Sequence, residues 1–239
     1  MKAIVKKILR KAGWELRRTS ANSHTTMTQG LDWLRRNNFD VKTVLDVGAS
    51  NGCWSKKCTN FFPTSKFVLF EPQSVHKEAL ELFSRSYRPT VIVQKAVGAS
   101  DGFTFFDSSD PFGGAIVNSN ESGCNIRVEM TTIDSAVSQY QIEGPYLLKL
   151  DTHGYEKDIL SGAAKTIEKT QILIIEAYNY RITEEAFLFW ELCAFLSEKG
   201  FRPIDLVDVL HRQYDNSLWQ MDLFFIRSDW EGFRYISYK

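Results

Sequence analysis

The chain predicts an α/β protein: a mostly parallel sheet wrapped by helices on both faces. Three observations carry this. Apolar runs of strand length alternate with stretches at helical spacing along most of the 239 residues. One run, Thr43-Val44-Leu45-Asp46-Val47, leads through the turn Gly48-Ala49-Ser50-Asn51-Gly52 into a potential helix start at Trp54. Nineteen residues past Gly52, Glu71 ends a second run, Lys66 to Phe70. A strand, a glycine turn and a helix present free backbone N–H groups to a ligand, and an acid after the second strand suits the two hydroxyls of a ribose.

Length and composition fit one α/β domain that needs no disulfides to bury its core. Lysine plus arginine and aspartate plus glutamate both number 29, a balance without the basic excess of a nucleic-acid binder. Cys53, Cys58, Cys124 and Cys193 are scattered and complete no zinc set, so they read as thiols in a reducing compartment. No apolar run approaches the roughly 18 to 20 residues of a membrane span, and no signal peptide is visible, so the expected location is cytoplasmic.

Residues 1–28 read as a basic segment plus linker, and 29–239 as the domain. Within residues 1–18, Lys2, Lys6, Lys7, Arg10, Lys11, Arg17 and Arg18 face only Glu15, with apolar residues between them at near-helical spacing. Such a helix suits peripheral contact with the inner face of an anionic membrane, or docks its apolar side on the domain. Leu31 to Asn38 suggests a helix covering one side of a cofactor pocket. Val75 to Ser86 is helical. After the strand Val91 to Val93, Ala96-Val97-Gly98-Ala99-Ser100-Asp101-Gly102 ends in a hairpin signal, and Phe103 to Phe106 is a strand. Ser108 to Asn125, rich in Ser, Asn and Gly, is expected as a mobile lid over an acceptor site. Asn125 to Thr131 follows as a strand. Thr132 caps a short helix, Tyr146 to Leu150 is a buried strand, and Ile159 to Ile167 is helical. Gln171 to Ile175 runs into Glu176, and Gly200 stops the helix Phe187 to Lys199. The strands Phe201 to Val209 and Trp219 to Ile226 close the domain as an antiparallel pair.

Ligands of such sheets bind beyond the carboxyl ends of the strands, which gathers Asp46, Glu71, Asp151, His153 and Glu176 on one rim. Asp46 suits a ligand bearing an ammonium group better than a pyrophosphate, and no G-x-G-x-x-G is present. A nicotinamide-dependent oxidoreductase is therefore the weaker enzyme reading, and a non-catalytic ligand-binding protein is a third. His153 is expected as a base, neutral at working pH, with Asp151 or Glu176 orienting it or serving instead. A divalent metal held by Asp151 and Glu176, with or without His153, is a further option. His153 in a purely structural role is the competing assignment. His211 is placed near the rim, Glu156 at a helix start, and Trp54 near the pocket.

Leu45-Asp46-Val47-Gly48-Ala49-Ser50-Asn51-Gly52-Cys53-Trp54-Ser55, Phe70-Glu71-Pro72, Ala96-Val97-Gly98, Asp101-Gly102 and Thr132-Ile133-Asp134 occur in an order that resembles the FkbM family of S-adenosylmethionine-dependent methyltransferases. So do Leu148-Lys149-Leu150-Asp151-Thr152-His153-Gly154-Tyr155-Glu156, Leu160-Ser161-Gly162-Ala163 and Ile174-Ile175-Glu176. The likeness covers roughly Leu31 to Arg227 and departs at Thr152-His153-Gly154, where the family usually has Val-Glu-Gly. It implies a class I, Rossmann-like methyltransferase fold with a seven-stranded, mostly parallel sheet and an antiparallel last strand. It also implies methyl transfer from S-adenosyl-L-methionine, most often to a hydroxyl of a carbohydrate, glycan, glycolipid or natural product. By the same resemblance Asp46, Gly48, Asn51 and Gly52 hold the methionine part, Glu71 the ribose, and Ala96, Ser100 and Asp101 the adenine edge. Asp151 stands beside the reacting methyl group. The oligomeric state is not legible.

Overall fold

The computed structural model describes residues 24–87, 89–117 and 125–238. The basic residues 1–18, residues 19–23 of the linker, part of the expected lid and Cys124 lie outside the described residues. Strands are β1 (Thr43–Val47), β2 (Lys66–Phe70), β3 (Thr90–Val93), β4 (Ala96–Val97), β5 (Gly102–Asp107), β6 (Ala115–Val117), β7 (Asn125–Thr131), β8 (Tyr146–Leu150), β9 (Thr170–Tyr178), β10 (Phe201–His211) and β11 (Leu218–Arg227). Helices are α1 (Met27–Arg36), α2 (Cys53–Cys58), α3 (Lys77–Ser86), α4 (Ile133–Gln139), α5 (Glu156–Ser161) and α6 (Phe189–Glu198).

Seven strands form the main sheet in the order β10-β11-β9-β8-β1-β2-β3. Pairing is parallel from β9 through β3, while β11 runs antiparallel to both β9 and β10. The chain therefore moves outward from β1 through β2 to β3, then returns to lay β8 on the other side of β1. That reversal opens a crevice between the carboxyl ends of β1 and β8, the place where such sheets bind ligands.

Strand alternation divides the core between the two faces. Leu45, Val47, Leu148, Leu150, Ile175 and Phe225 face α4, α5 and α6. Val44, Leu147, Ile172, Ile174, Phe224 and Ile226 face α1, α2 and α3. Each fully buried Leu, Ile or Phe contributes roughly 1.5–3 kcal/mol. Helix α1 lies directly on Phe224, because a Cβ at Gly30 would come within 2.7 Å of that ring. It is thus part of the scaffold and, contrary to expectation, lines no part of the cleft described below.

Three local expectations change. Asp101-Gly102 does not turn a hairpin: β4 and β5 flank β7 on opposite sides, parallel and antiparallel, in a separate four-stranded sheet β4-β7-β5-β6. The helix expected over 159–167 is displaced to α5, because the Asp134 carboxylate accepts the N–H groups of Lys165 and Thr166 and holds that segment as a turn. The stretch from Ser108 includes β6, paired with β5, rather than being loop throughout. Thr132 does cap α4, its Oγ1 accepting the Ser135 N–H at 2.9 Å, and Gly200 ends α6 at φ +79°.

Candidate active site

The glycine turn is fixed by its own backbone. Gly48 and Ala49 donate to the Phe70 carbonyl at 3.1 and 3.0 Å, and Asp151 donates to Val47 at 3.1 Å, so the turn is tied to both neighbouring strands. Gly48 has φ +75°, and a Cβ there would lie 2.0 Å from the Asp151 carbonyl oxygen. Only glycine permits that approach. Ser50, also in the left-handed region at φ +49°, points its N–H at Glu71 Oε2, 2.8 Å away. The other Glu71 oxygen accepts the Gln73 N–H at 2.9 Å. Burial raises the Glu71 carboxyl above its ordinary range, outweighing these two donors.

A cleft of about 750 Å³, counted to its open mouth, runs along this edge. Val47, Gly48, Ser50, Glu71, Ala96 and Val97 form its floor. Asp151, Thr152, His153 and Tyr155 form one wall, and Phe106, Pro111, Phe112, Ala115 and Ile116 the roof. The roof is a strap on the second sheet, latched by two carbonyls. Pro111 O meets His76 Nε2 at 2.7 Å and accepts from Gln73 Nε2 at 3.1 Å, while Phe112 O lies 3.4 Å from His153 Nε2.

Behind Asp151 and His153 stands a polar cluster. Glu176 Oε2 accepts the Tyr178 hydroxyl at 2.6 Å, and His153 Nδ1 lies 2.9 Å from that hydroxyl and 3.4 Å from the same carboxylate oxygen. Gln220 Nε2 donates to the second Glu176 oxygen. The hydrogen bond to Glu176 pushes His153 up to about 9 against the opposing effect of burial. The ring is therefore an imidazolium at neutral pH, not the neutral base expected. Asp222 pairs with Glu176 across β11 and β9, and burial together with Glu176 and Asp151 pushes its carboxyl up to about 7. One ligand atom from each of Asp151, His153 and Glu176 can be chosen so that all lie within 4.8 Å of one another, a set able to hold a metal ion.

Asp46 is corrected. It is 0 % exposed, accepts the Ser55 hydroxyl at 2.6 Å, and sits 3.3 Å from Lys149 Nζ. Asp46 and Lys149 are register partners on adjacent strands and project from the same face of the sheet, where Ser55 of α2 covers the acid. Lys149, 4 % exposed, also reaches Asp151 Oδ2 at 3.0 Å. Burial works against the charge on Lys149, but Asp46 and Asp151 outweigh it. Lys149 in turn keeps Asp151 below the usual carboxylate range despite burial.

Asn51 and Gly52 also stand off the cleft: Asn51 Oδ1 accepts the Cys53 N–H, and Gly52 is the residue from which α2 springs. Ser100 and Asp101 are not part of its lining, and the Asp101 carboxylate instead accepts from Thr131, Thr132 and Ser135 at the start of α4. Neither Trp54 nor His211 lines it. Glu156, buried at the start of α5, accepts the Gly154 N–H and the Thr152 hydroxyl. Residues that sequence reasoning passed over are Ser50, Gln73, His76, Lys149, Tyr178, Gln220 and Asp222. Lys149, a charge inside an otherwise apolar strand, was the visible signal among them.

The model of the methyltransferase FkbM domain matches residues 46–203. Among solved structures, a methyltransferase FkbM from Methylobacillus flagellatus KT is similar at 15% identity and TM-score 0.51, covering 80% of this chain; this chain spans 46% of that one. The N-methyltransferase NodS from Bradyrhizobium japonicum WM9, in complex with S-adenosyl-l-homocysteine, has 9% identity and TM-score 0.48, with 84% and 85% of the two chains covered. No curated protein matches the chain in sequence.

Proposed function

Since this chain belongs to the FkbM methyltransferase family, whose domain spans residues 46–203, we propose that it transfers a methyl group from S-adenosyl-L-methionine to a hydroxyl of a carbohydrate, glycolipid or natural-product acceptor. The observation that carries the reading is the continuity of one cleft from the Gly48 turn and Glu71 to Asp151 and His153. Family membership sets the nicotinamide reading aside.

The residues fit the cofactor. Gly48, whose missing Cβ lets the Asp151 carbonyl close on the turn, and Ser50 line the end of the cleft that suits its methionine part. Each Glu71 oxygen already takes one backbone donor and keeps a lone pair for a ribose hydroxyl. Ala96, Val97, Phe106 and Ile116 supply an apolar stretch of the lining that suits the adenine. Bound there, the cofactor supplies an activated methyl carbon on a sulfonium. What remains for the protein is alignment and proton removal. Asp151, ionised and held by Lys149, accepts the acceptor's O–H and aims its lone pair. That hydroxyl becomes strongly acidic only as the new C–O bond forms, so a carboxylate is base enough at that moment. His153 holds the strap above and Glu176 behind, fixing the depth of the site. The basic residues 1–18 extend the reading to a cytoplasmic protein working on an acceptor presented at an anionic membrane surface.

Calorimetric titration with S-adenosylmethionine, S-adenosylhomocysteine and NAD tests the cofactor. Radiolabelled methyl transfer to panels of glycosides and of amines tests the acceptor class. Saturable binding of the first two ligands and label on glycosides is the expected result. Label on amines alone overturns the hydroxyl assignment, and binding without any transfer would favour a non-catalytic protein of the same fold.

A further inference from the structure

We propose that Asp151, His153 and Glu176 hold one divalent cation at the acceptor end of the cleft. Its place in the chemistry rests on the methyltransferase reading; its existence does not.

Ligand type comes first. Two carboxylates and one imidazole form a mixed oxygen and nitrogen set suited to Mg²⁺, Mn²⁺ or Fe²⁺. Spacing comes next. Bonds of about 2.0–2.3 Å to a common ion need ligand atoms no more than roughly 4.5 Å apart. The three chosen atoms lie within 4.8 Å of one another, so side-chain movement of about an ångström closes the set. The ligands also come already oriented: Tyr178 and Gln220 each donate to a different oxygen of Glu176, the kind of outer support that fixes a ligating carboxylate.

Charge agrees with this placement. Asp151 and Glu176 bring two carboxylates to one point, while Lys149, 3.0 Å from Asp151, is shared with Asp46 at 3.3 Å. As a ligand His153 is neutral, so the bound cation takes the place of its ring proton beside Glu176. Carboxylates brought this close repel one another unless something positive lies between them.

The step then balances as follows. With the cation bound, Asp151 serves as a ligand, and the acceptor hydroxyl, drawn to the cation, releases its proton to water rather than to Asp151. Its oxygen forms a bond to the methyl carbon while the carbon–sulfur bond breaks, the electron pair staying on sulfur to give S-adenosylhomocysteine.

The test uses the full chain after EDTA treatment and desalting. Mn²⁺ is titrated with free ion followed by electron paramagnetic resonance, and S-adenosylhomocysteine is titrated separately. One saturable Mn²⁺ site is expected, weakened at least about tenfold in Glu176→Gln and in Asp151→Asn. Glu176→Gln should keep its S-adenosylhomocysteine affinity within about threefold. Lack of saturation at millimolar Mn²⁺ overturns the proposal, as does equal binding by both variants. If either variant fails to fold, His153→Gln replaces it under the same criterion. Mn²⁺ binding without S-adenosylhomocysteine binding would defeat the methyltransferase reading and leave the cation site standing; the reverse result would do the opposite.

Discussion

Two aspartates, Asp46 within β1 and Asp151 just past β8, look alike in sequence, each beside an apolar strand, yet Lys149 divides their roles. Asp46 is sealed beneath α2, while Asp151 opens on the cleft. Removing Asp46 leaves part of the Lys149 charge unmatched in the interior, so Asp46→Asn should lower stability by roughly 3 kcal/mol, read from urea unfolding, with cofactor affinity nearly kept. Glu71→Ala should do the converse, weakening S-adenosylhomocysteine binding at least about tenfold by calorimetry with little change in melting temperature. The pair His153–Glu176 sets a pH dependence in metal-free protein. Its folded pKa, about 9, lies above the unfolded value of about 6.5, so its stabilisation is complete below about 6.5 and disappears as pH rises through 9. With the ring partly exposed, about 2 kcal/mol should be lost between pH 7 and 10, and His153→Gln should flatten that slope in thermal melts. The rim positions of Glu71, Asp151 and His153 were legible because strand ends follow from apolar runs, whereas Glu176 lies within β9, which runs on to Tyr178, and stands behind the rim. The fate of Asp46 was not, since it depends on which residue of a distant strand stands beside it.

Elements carry a different kind of information. The turn after β1 could be read because Gly48 has few other uses at that point, and its left-handed backbone makes Gly48→Ala untenable without moving β8. The antiparallel strand β11 could be read as the partner of β10, but its insertion next to β9 is what brings Asp222 to Glu176. No local pattern announces that meeting. It has a measurable cost: a carboxyl held up near 7 destabilises the fold once ionised, so the penalty is absent below about pH 4 and full above about 7. Asp222→Asn should therefore stabilise metal-free protein by about 2 kcal/mol at pH 8 and by little at pH 4, as denaturant titrations at the two pH values would show. The failed hairpin at Asp101-Gly102 has a physical cause of the same order. The Asp101 carboxylate binds Thr131, Thr132 and Ser135, sending the chain to the far side of β7 instead of back along β4.

For the whole molecule, the seven-stranded sheet and its reversal followed from alternating strands and helices, whereas the second sheet did not, because its short strands pair across gaps that no repeat marks. No helix among the described residues is long and apolar enough to cross a membrane. Contact with a bilayer is expected to come through residues 1–18. The full chain should sediment with vesicles containing anionic lipid and not with neutral ones, and reversing Lys2, Lys6 and Lys7 to Glu should abolish this. Where Pro111 is held by His76 and Gln73, the next residue of the strap is tied to the rim through His153. His153 faces the Phe112 carbonyl with one nitrogen and the Tyr178 hydroxyl with the other. A carbonyl only accepts, so the nitrogen toward Phe112 must carry hydrogen, and the doubly protonated ring donates in both directions. When one proton leaves, the tautomer that keeps the strap must accept from Tyr178, and that hydroxyl then turns from Glu176. The alternative tautomer keeps Glu176 served and lets go the Phe112 end of the strap, leaving Pro111 on His76 and Gln73. One proton thus arbitrates between one latch of the roof and an intact rim.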